Sequence, residues 1–297
     1  MNKLDIPNII LLSYLTNYDI GLMNDSMIKY SERDLIIDNC ISVKRLNDKD
    51  VNSAVENTKI ALQKLRYHRI KAISIFDESY PKNLKKIDTP PPIIYIKGNL
   101  KVSKSAAVIG SRKTSEFAQI NTERVIRWLK DEEYSIISGL AIGIDSLAHS
   151  FSIKNELYNI AVLPNSLDSI YPKTNYGLAM DILNSKGCLV SETIFNINRG
   201  KRSFVQRNRI QAALSDVVLP IEMGTNSGTM HTINFAKKYD KKVLITRLSN
   251  ELSSLSEYSG IQTLISKPSK NVFIYDDEKS FKKYLKEKDE NQIKMNF

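Results

Sequence analysis

Apolar positions along this chain change their period near residue 105. From residue 6 to about 68 they recur at helical intervals, as in Ile10, Leu11, Tyr14 and Leu15, and again in Val55, Ile60, Leu62, Leu65 and Tyr67. Residues three and four apart share one side of a helix, so this spacing predicts several short helices. Beyond 105, short β-branched runs occupy 106–109, 135–138, 159–163, 188–191, 217–221, 242–246 and 272–275. Helical segments separate them, for example Phe117, Ile120, Val125, Trp128 and Leu129. Strands that are apolar throughout and alternate with helices predict an α/β fold, a mostly parallel sheet with helices on both faces. Between the two regions lie the apolar run Ala72–Phe76, Tyr80-Pro81, and the prolines Pro90, Pro91 and Pro92. Three prolines fit neither a helix nor a central strand. They predict a stiff linker before a strand at Ile93–Ile96 that Gly98 closes. The expected division is a small helical domain (1–70), a linker with leading strands (71–104), a core domain (105–280) and a charged C-terminal tail (281–297).

Composition narrows the class of partner. Among 297 residues, 43 Lys and Arg face 33 Asp and Glu, a formal net charge of +10. That excess favours a polyanion such as nucleic acid, although heavy use of Lys, Asn and Ile ties part of it to genomic base composition. Cys40 and Cys188 lie far apart, and with only His68, His149 and His231 no metal-ligand spacing arises. No metal, no cofactor and a reducing cytoplasm are expected. Asp5 and Asn8 interrupt the first apolar stretch, against a signal peptide. No run approaches the ~20 apolar residues of a membrane span, so no membrane partner is expected.

The densest chemistry is Gly200-Lys201-Arg202-Ser203-Phe204-Val205-Gln206-Arg207-Asn208-Arg209-Ile210. Cations interleaved with a ring suit a single strand, whose phosphates need neutralising and whose bases stack. The alternative is a solvated basic loop before a helix. In open α/β sheets ligands bind beyond the carboxyl ends of the strands, and the turns there repeat the theme. Gly110-Ser111-Arg112-Lys113 follows the 106–109 strand and pairs a glycine and a hydroxyl with two cations. Ser138-Gly139 follows the next strand, with Gly143 four residues on and Asp145 as the expected helix cap. Thr225, Ser227 and Gly228 lie in the chain's densest glycine and hydroxyl loop, an expected anion nest. Each alone fits a plain tight turn. Together they predict a positively lined sheet edge that follows a phosphate backbone. His149 reads as a packing or hydrogen-bonding histidine.

These residues resemble the DNA-processing protein A family (DprA, also called Smf) over about residues 77 to 275. Gly110-Ser111-Arg112 is similar to its GSR turn, and Ser138-Gly139-Leu140-Ala141-x-Gly143-Ile144-Asp145-x-x-Ala148-His149 to its SGLAxGID-xxAH signature. Tyr80-Pro81, Asp168-x-x-Tyr171-Pro172, Ser191-Glu192 and Phe204-x-x-Arg207-Asn208-Arg209-Ile210 follow in order. The resemblance implies an extended Rossmann-like core, a SAM-like N-terminal domain, and single-stranded DNA bound without cleavage. It also implies a homodimer and delivery of the strand to a RecA-type recombinase in natural transformation. The DNA contacts it implies are Arg112, Lys201 and Phe204.

The chain departs from the family at Pro164-Asn165-Ser166, at Ser227-Gly228-Thr229-Met230 and at Ile245-Thr246-Arg247, and no winged-helix segment follows. A divergent relative in phage defence or on a mobile element is the variant these departures suggest. The competing class is a nucleotide-binding sensor or phosphoribohydrolase-like enzyme. Glycosidic hydrolysis needs a carboxylate beside the sugar, and the helix after the loop that holds Thr225, Ser227 and Gly228, Met230-His231-Thr232-Ile233-Asn234, has none. Asp145, Asp168, Glu192 and Glu222 stand at different strand ends, so no catalytic residue is expected.

Overall fold

A computed structural model describes residues 4–101, 103–197, 199–267 and 269–287. The last ten residues of the expected charged tail, 288–297, lie outside the described residues. Nine strands form one sheet: β1 (Lys71–Ser74), β2 (Ile93–Gly98), β3 (Ser105–Ile109), β4 (Ser135–Ser138), β5 (Asn159–Val162), β6 (Cys188–Ser191), β7 (Val217–Pro220), β8 (Lys242–Thr246) and β9 (Val272–Tyr275). Their order is β1-β2-β6-β5-β4-β3-β7-β8-β9. β3 to β9 pair in parallel, and each expected run lies within one residue of its strand.

The residues read as a linker enter this sheet. β2 pairs antiparallel with β6, Tyr95 opposite Ser191, and β1 pairs antiparallel with β2. The proline run keeps its carbonyls in use: Asn24 donates to Pro90 O, Tyr80 Oη to Pro91 O and Ile75 N to Pro92 O. Missing N–H groups therefore cost this segment nothing, because its role is to accept.

Helices α1 (Ile6–Leu15), α2 (Ile20–Lys29), α3 (Arg33–Lys44) and α4 (Asp48–Tyr67) form the N-terminal region. They share one apolar core with the sheet, in which Ile9, Leu12 and Leu65 pack with Tyr95, Ala161 and Leu189. The buried face of α4 differs from the expected one. Ala54, Thr58, Ala61 and Leu65 face inward, while Val55 and Ile60 are exposed. Small side chains at that spacing let α4 approach α1 closely, and size rather than hydrophobicity set the phase.

A short α5 (Lys82–Lys85) precedes β2. α6 (Glu116–Asp131), α7 (Ile144–Lys154) and α8 (Tyr176–Asn184) make the crossovers from β3 through β6. α9 (Arg202–Leu214) and α10 (Thr229–Lys238) flank β7, α11 (Asn250–Ser253) and α12 (Ser259–Ser266) precede β9, and α13 (Glu278–Lys286) follows it. α6 is also rotated from the expected phase: Ala118, Thr122, Val125, Ile126 and Leu129 are buried, and Ile120 is 58% exposed. Alternation along β3 divides the cores. Ala107 and Ile109 meet α9, α10 and α12, whereas Ala106 and Val108 meet α6 and α7.

β3 has β4 on one side and β7 on the other, so the chain leaves the sheet centre in opposite directions at this point. Diverging connections open a crevice at the carboxyl ends of these strands, where α/β sheets take their ligands. His149, on α7, supports this region from within. It is fully buried, and its Nδ1 pairs with Asn159 Oδ1 at 3.0 Å. Burial, with Arg207 as a further cationic influence, lowers its pKa from 6.5 to about 4.

A proton that the unfolded chain accepts near pH 6.5 is therefore refused by the fold until about pH 4. Stability is complete above pH 6.5 and falls as the pH drops toward 4, by up to about 3 kcal/mol for this group. Urea denaturation of the wild type and His149→Gln at pH 7 and pH 4.5 checks this. The variant should lose less stability between the two, and equal losses would contradict the assignment.

Candidate nucleic-acid interface

Two glycines bring three backbone segments together at the switch point. Ser111 N donates to Glu222 O at 2.8 Å, and Ile144 N to Ser111 O at 3.1 Å, which ties the turn after β3 to β7 and α7. Gly110 allows this: a Cβ there would lie 2.6 Å from Ile144 Cγ1. Gly143, at φ +85°, would set a Cβ 2.2 Å from Ser111 O. Side chains are excluded twice, by contact and by conformation. Ser115 then caps α6, accepting from Ala118 N while its own N–H and hydroxyl donate to the fully buried Glu222.

The expected cap Asp145 lies inside the first turn of α7 and accepts from Gly139 N (3.1 Å) and Ala141 N (3.4 Å). Burial raises its pKa, and the guanidinium of Arg207 opposes the rise. Arg207 Nη1 donates to Gly139 O at 2.6 Å and Val162 O at 2.9 Å, holding the ends of β4 and β5 together. Gly139 has no side chain because the guanidinium fills that space, 1.8 Å from where a Cβ would sit.

Around these supports lies a cavity of about 520 Å3. Gly110 to Ser115 form one wall, Phe204, Arg207, Asn208 and Gln211 of α9 another, and Ser227 to Thr229 at the start of α10 a third. Arg112 and Lys113 are exposed. The first amides of α10 point toward the cavity's side as any helix start does, adding partial positive charge. Asn208 Nδ2 donates to Gly228 O at 3.1 Å, joining α9 to α10. Thr225 is exposed, and its amide is held by Ser259 Oγ.

The basic segment divides into two populations. Lys201 and Arg202 are exposed, and with Lys44 and Arg199 they line a second groove of about 810 Å3 beside the Thr16–Gly21 loop. Arg207 and Arg209 are both buried: Arg207 keeps a place in the cavity wall, while the burial of Arg209 corrects the expectation that it faces a strand. Arg209 is 1% exposed, and its Nη2 donates to Glu192 Oε2 at 2.6 Å. Arg199 Nη1 donates to the other oxygen of Glu192 at 2.8 Å. Burial lowers the pKa of Arg209, and the Glu192 charge more than offsets the fall. Ser138 is likewise interior, its hydroxyl bonded to Val108 O. Asn208 reaches the cavity wall with its amide already bonded to the protein, and Gly139 lies behind the wall, bonded to Arg207 and Asp145. The reason is enclosure: the segment enters α9 at Arg202, and from Arg207 to Leu214 every residue of that helix is buried, whichever face it occupies.

Phe204 occupies the first turn of α9, where its neighbours suggest no regular element. It is half-buried, with the Arg112 guanidinium 5.8 Å from its ring centroid. Tyr171 meets it edge-on at 5.4 Å. Tyr171 is 48% exposed and belongs to this site, although its strand-end position did not mark it as facing Phe204. Gln211 is the other residue missed, and its signal was a single amide within the apolar run Ile210–Leu214. Among the described residues, no group of three or more His, Cys, Asp or Glu is placed to hold a metal, and no helix is long and apolar enough to cross a membrane.

Comparison with known proteins places this geometry in context. The sequence model of the family described as DNA recombination-mediator protein A matches residues 71–281. Protein Smf of Borreliella burgdorferi is 31% identical over 223 residues, 74% of this chain and 69% of the relative. The DNA processing protein DprA of Streptococcus pneumoniae is 31% identical over 247 residues, 77% of this chain and 86% of the relative. The X-ray structure of DprA from that organism superposes with a TM-score of 0.66 at 25% identity, covering 93% of this chain and 92% of that one. DNA processing protein A from Helicobacter pylori gives 0.64 at 27% identity, over 74% and 96%. The Helicobacter protein's structure is described as revealing a unique single-stranded DNA binding mode.

The two populations of cations should separate in stability. Arg209→Ala leaves Glu192 buried with one partner fewer and should cost about 3–5 kcal/mol. Lys201→Ala and Arg202→Ala should each stay within about 0.5 kcal/mol of the wild type. Chemical denaturation of the three variants measures this, and a fully stable Arg209→Ala would refute the buried role.

Proposed function

The chain belongs to the DNA recombination-mediator protein A family, and from that premise we propose that it binds single-stranded DNA along the carboxyl edge of its sheet. It does so as a DNA-processing protein of transformation and recombination. The observation that carries the reading is Phe204: a half-buried ring at the mouth of a nucleotide-sized cavity, flanked by Tyr171 and covered in part by Arg112. Arg112 and Lys113 on one side of it, and Lys201 and Arg202 on the other, neutralise successive phosphates. The start of α10 at Gly228 and Thr229 offers amides to the backbone. A duplex hides its bases from the ring, whereas a single strand presents them, so the arrangement selects single strands without reading sequence at length.

The same reading makes the protein a non-catalytic binder. Its support is that Asp145, Glu192 and Glu222 are each buried and bonded to the protein's own amides, cations or hydroxyls. A RecA-type recombinase as the recipient of the strand, a homodimer as the working form and the cytoplasm as its place extend the proposal, with family membership as their support.

Fluorescence titrations on single-stranded and duplex oligonucleotides of equal length test the proposal. Single strands should bind tighter, and log K should fall with log salt by roughly 0.7 per phosphate contacted. Arg112→Ala and Lys201→Ala should each bind more weakly and with a shallower slope. Phe204→Ala should lose about tenfold or more in affinity at an unchanged slope, and Phe204→Trp should retain binding. A flat salt response or a preference for duplex would overturn the reading.

A further inference from the structure

α10 carries polar chemistry at both of its ends. Its start, at Gly228 and Thr229, borders the switch-point cavity, and its end borders a separate cleft of about 350 Å3 against α5. Ten helical residues set the two about 15 Å apart. Three lysines line the far cleft: Lys86 from α5, Lys238 in the last turn of α10, and Lys241 just beyond it. The two carboxylates there are already engaged. Asp88 accepts from Lys238 Nζ at 2.6 Å, and Asp240 accepts from Lys270 Nζ and Asn271 Nδ2, each at 2.9 Å. Among the described residues, neither Lys86 nor Lys241 makes a hydrogen bond or an ion pair through its side chain.

The backbone fixes where Lys241 leaves the helix. Asp240 adopts φ +56°, and Lys241 N donates to Ala236 O at 2.8 Å, a left-handed closure of α10. The side chain is half-buried. Burial lowers its pKa, Asp216 opposes the fall, and the Lys86 charge adds to it. Asp216 is itself held at the start of β3, where it accepts from Ser105 N. Two ammoniums without ion-pair partners therefore face one cleft and repel each other. The carboxyl end of a helix attracts cations, which accounts for Lys237 and Lys238 in the last turn. It does not account for Lys86, which comes from another helix. An anion held between Lys86 and Lys241 relieves the repulsion.

The helix between the two ends admits the same class of ligand. From Thr229 to Lys238, α10 contains no Asp or Glu. Its exposed residues His231, Asn234 and Lys238 are three and four apart and so share one face. Lys82 and Lys85, exposed on α5, extend the cationic surface past the cleft. Lysines act as compact point charges, which suits a phosphate oxygen approached from several directions and demands no planar partner.

We infer that the bound strand leaves the switch-point cavity along the outer face of α10 and sets a phosphate between Lys86 and Lys241. The inference rests on the single-strand reading above and adds to it a phosphate site on a different part of the molecule.

A ladder of oligothymidines from about 4 to about 16 nucleotides, the span of single-strand site sizes, tests it. The wild type is compared with Lys86→Gln, Lys241→Gln and a charge-matched control, Lys49→Gln, at an exposed position of α4. Melting temperatures are recorded, and because Lys86 is exposed its variant reports on binding even if Lys241→Gln is less stable. On the shortest oligomer all four proteins should bind alike. On the longest, Lys86→Gln and Lys241→Gln should each bind about threefold or more weakly than the control, with a salt slope shallower by roughly 0.7. Equal losses at every length, or losses no larger than the control's, would overturn the inference. Failure of the wild type to bind any length would remove the single-strand reading itself, and this inference with it.

Discussion

The guanidinium of Arg207 holds the candidate site in shape. From the second turn of α9 it reaches the carbonyls that end β4 and β5, Gly139 O and Val162 O, in space that a side chain at residue 139 would occupy. Strand ends leave carbonyls without ladder partners, and at a buried edge each must find a donor. A single planar cation serves two of them and fixes the angle at which α9 leaves the sheet. Burial works against the charge and pulls its pKa down, while Asp145 opposes that pull. Everything exposed on α9 takes its position from this contact: Phe204 a turn earlier at the cavity mouth, Lys201 and Arg202 at the groove beyond.

The same eleven residues show how position, not composition, decides what a cation does. Arg207 and Arg209 are two apart, and each is enclosed by polar groups of the protein, one by carbonyls and the other by Glu192. Arg209 is sealed from solvent, whereas Arg207 still lines the cavity. Lys201 and Arg202 precede the helix or begin it and remain in water. Removing a buried cation unsettles the fold, and removing a surface one changes only what the edge attracts. The net charge of +10 therefore overstates the charge available to a polyanion.

Much of this was legible in the residues. Strands buried on both faces read as unbroken apolar runs, so β3 to β9 could be anticipated, while their order in the sheet could not. Turn glycines at 110 and 143 were legible because only they permit the observed approach. What escaped was phase. Ala54, Thr58 and Ala61 form a buried stripe too small to register as hydrophobic. Enclosure escaped too, since α9 is buried on all sides from Arg207 to Leu214 and takes Arg209 with it. Long-range pairs escaped as well: Tyr171 and Phe204 meet only because the segment after β5 and the start of α9 lie at the same edge.

The account places the strand at one edge of the sheet, against Phe204 and Tyr171. Photocrosslinking of an oligonucleotide carrying 5-iododeoxyuridine, followed by mapping of the modified peptides, tests this most directly. The crosslinks should fall on Phe204 or Tyr171, and they should disappear on competition with unlabelled single strands. Crosslinks confined to the distant basic face of α13, around Lys282, Lys283 and Lys286, would contradict it.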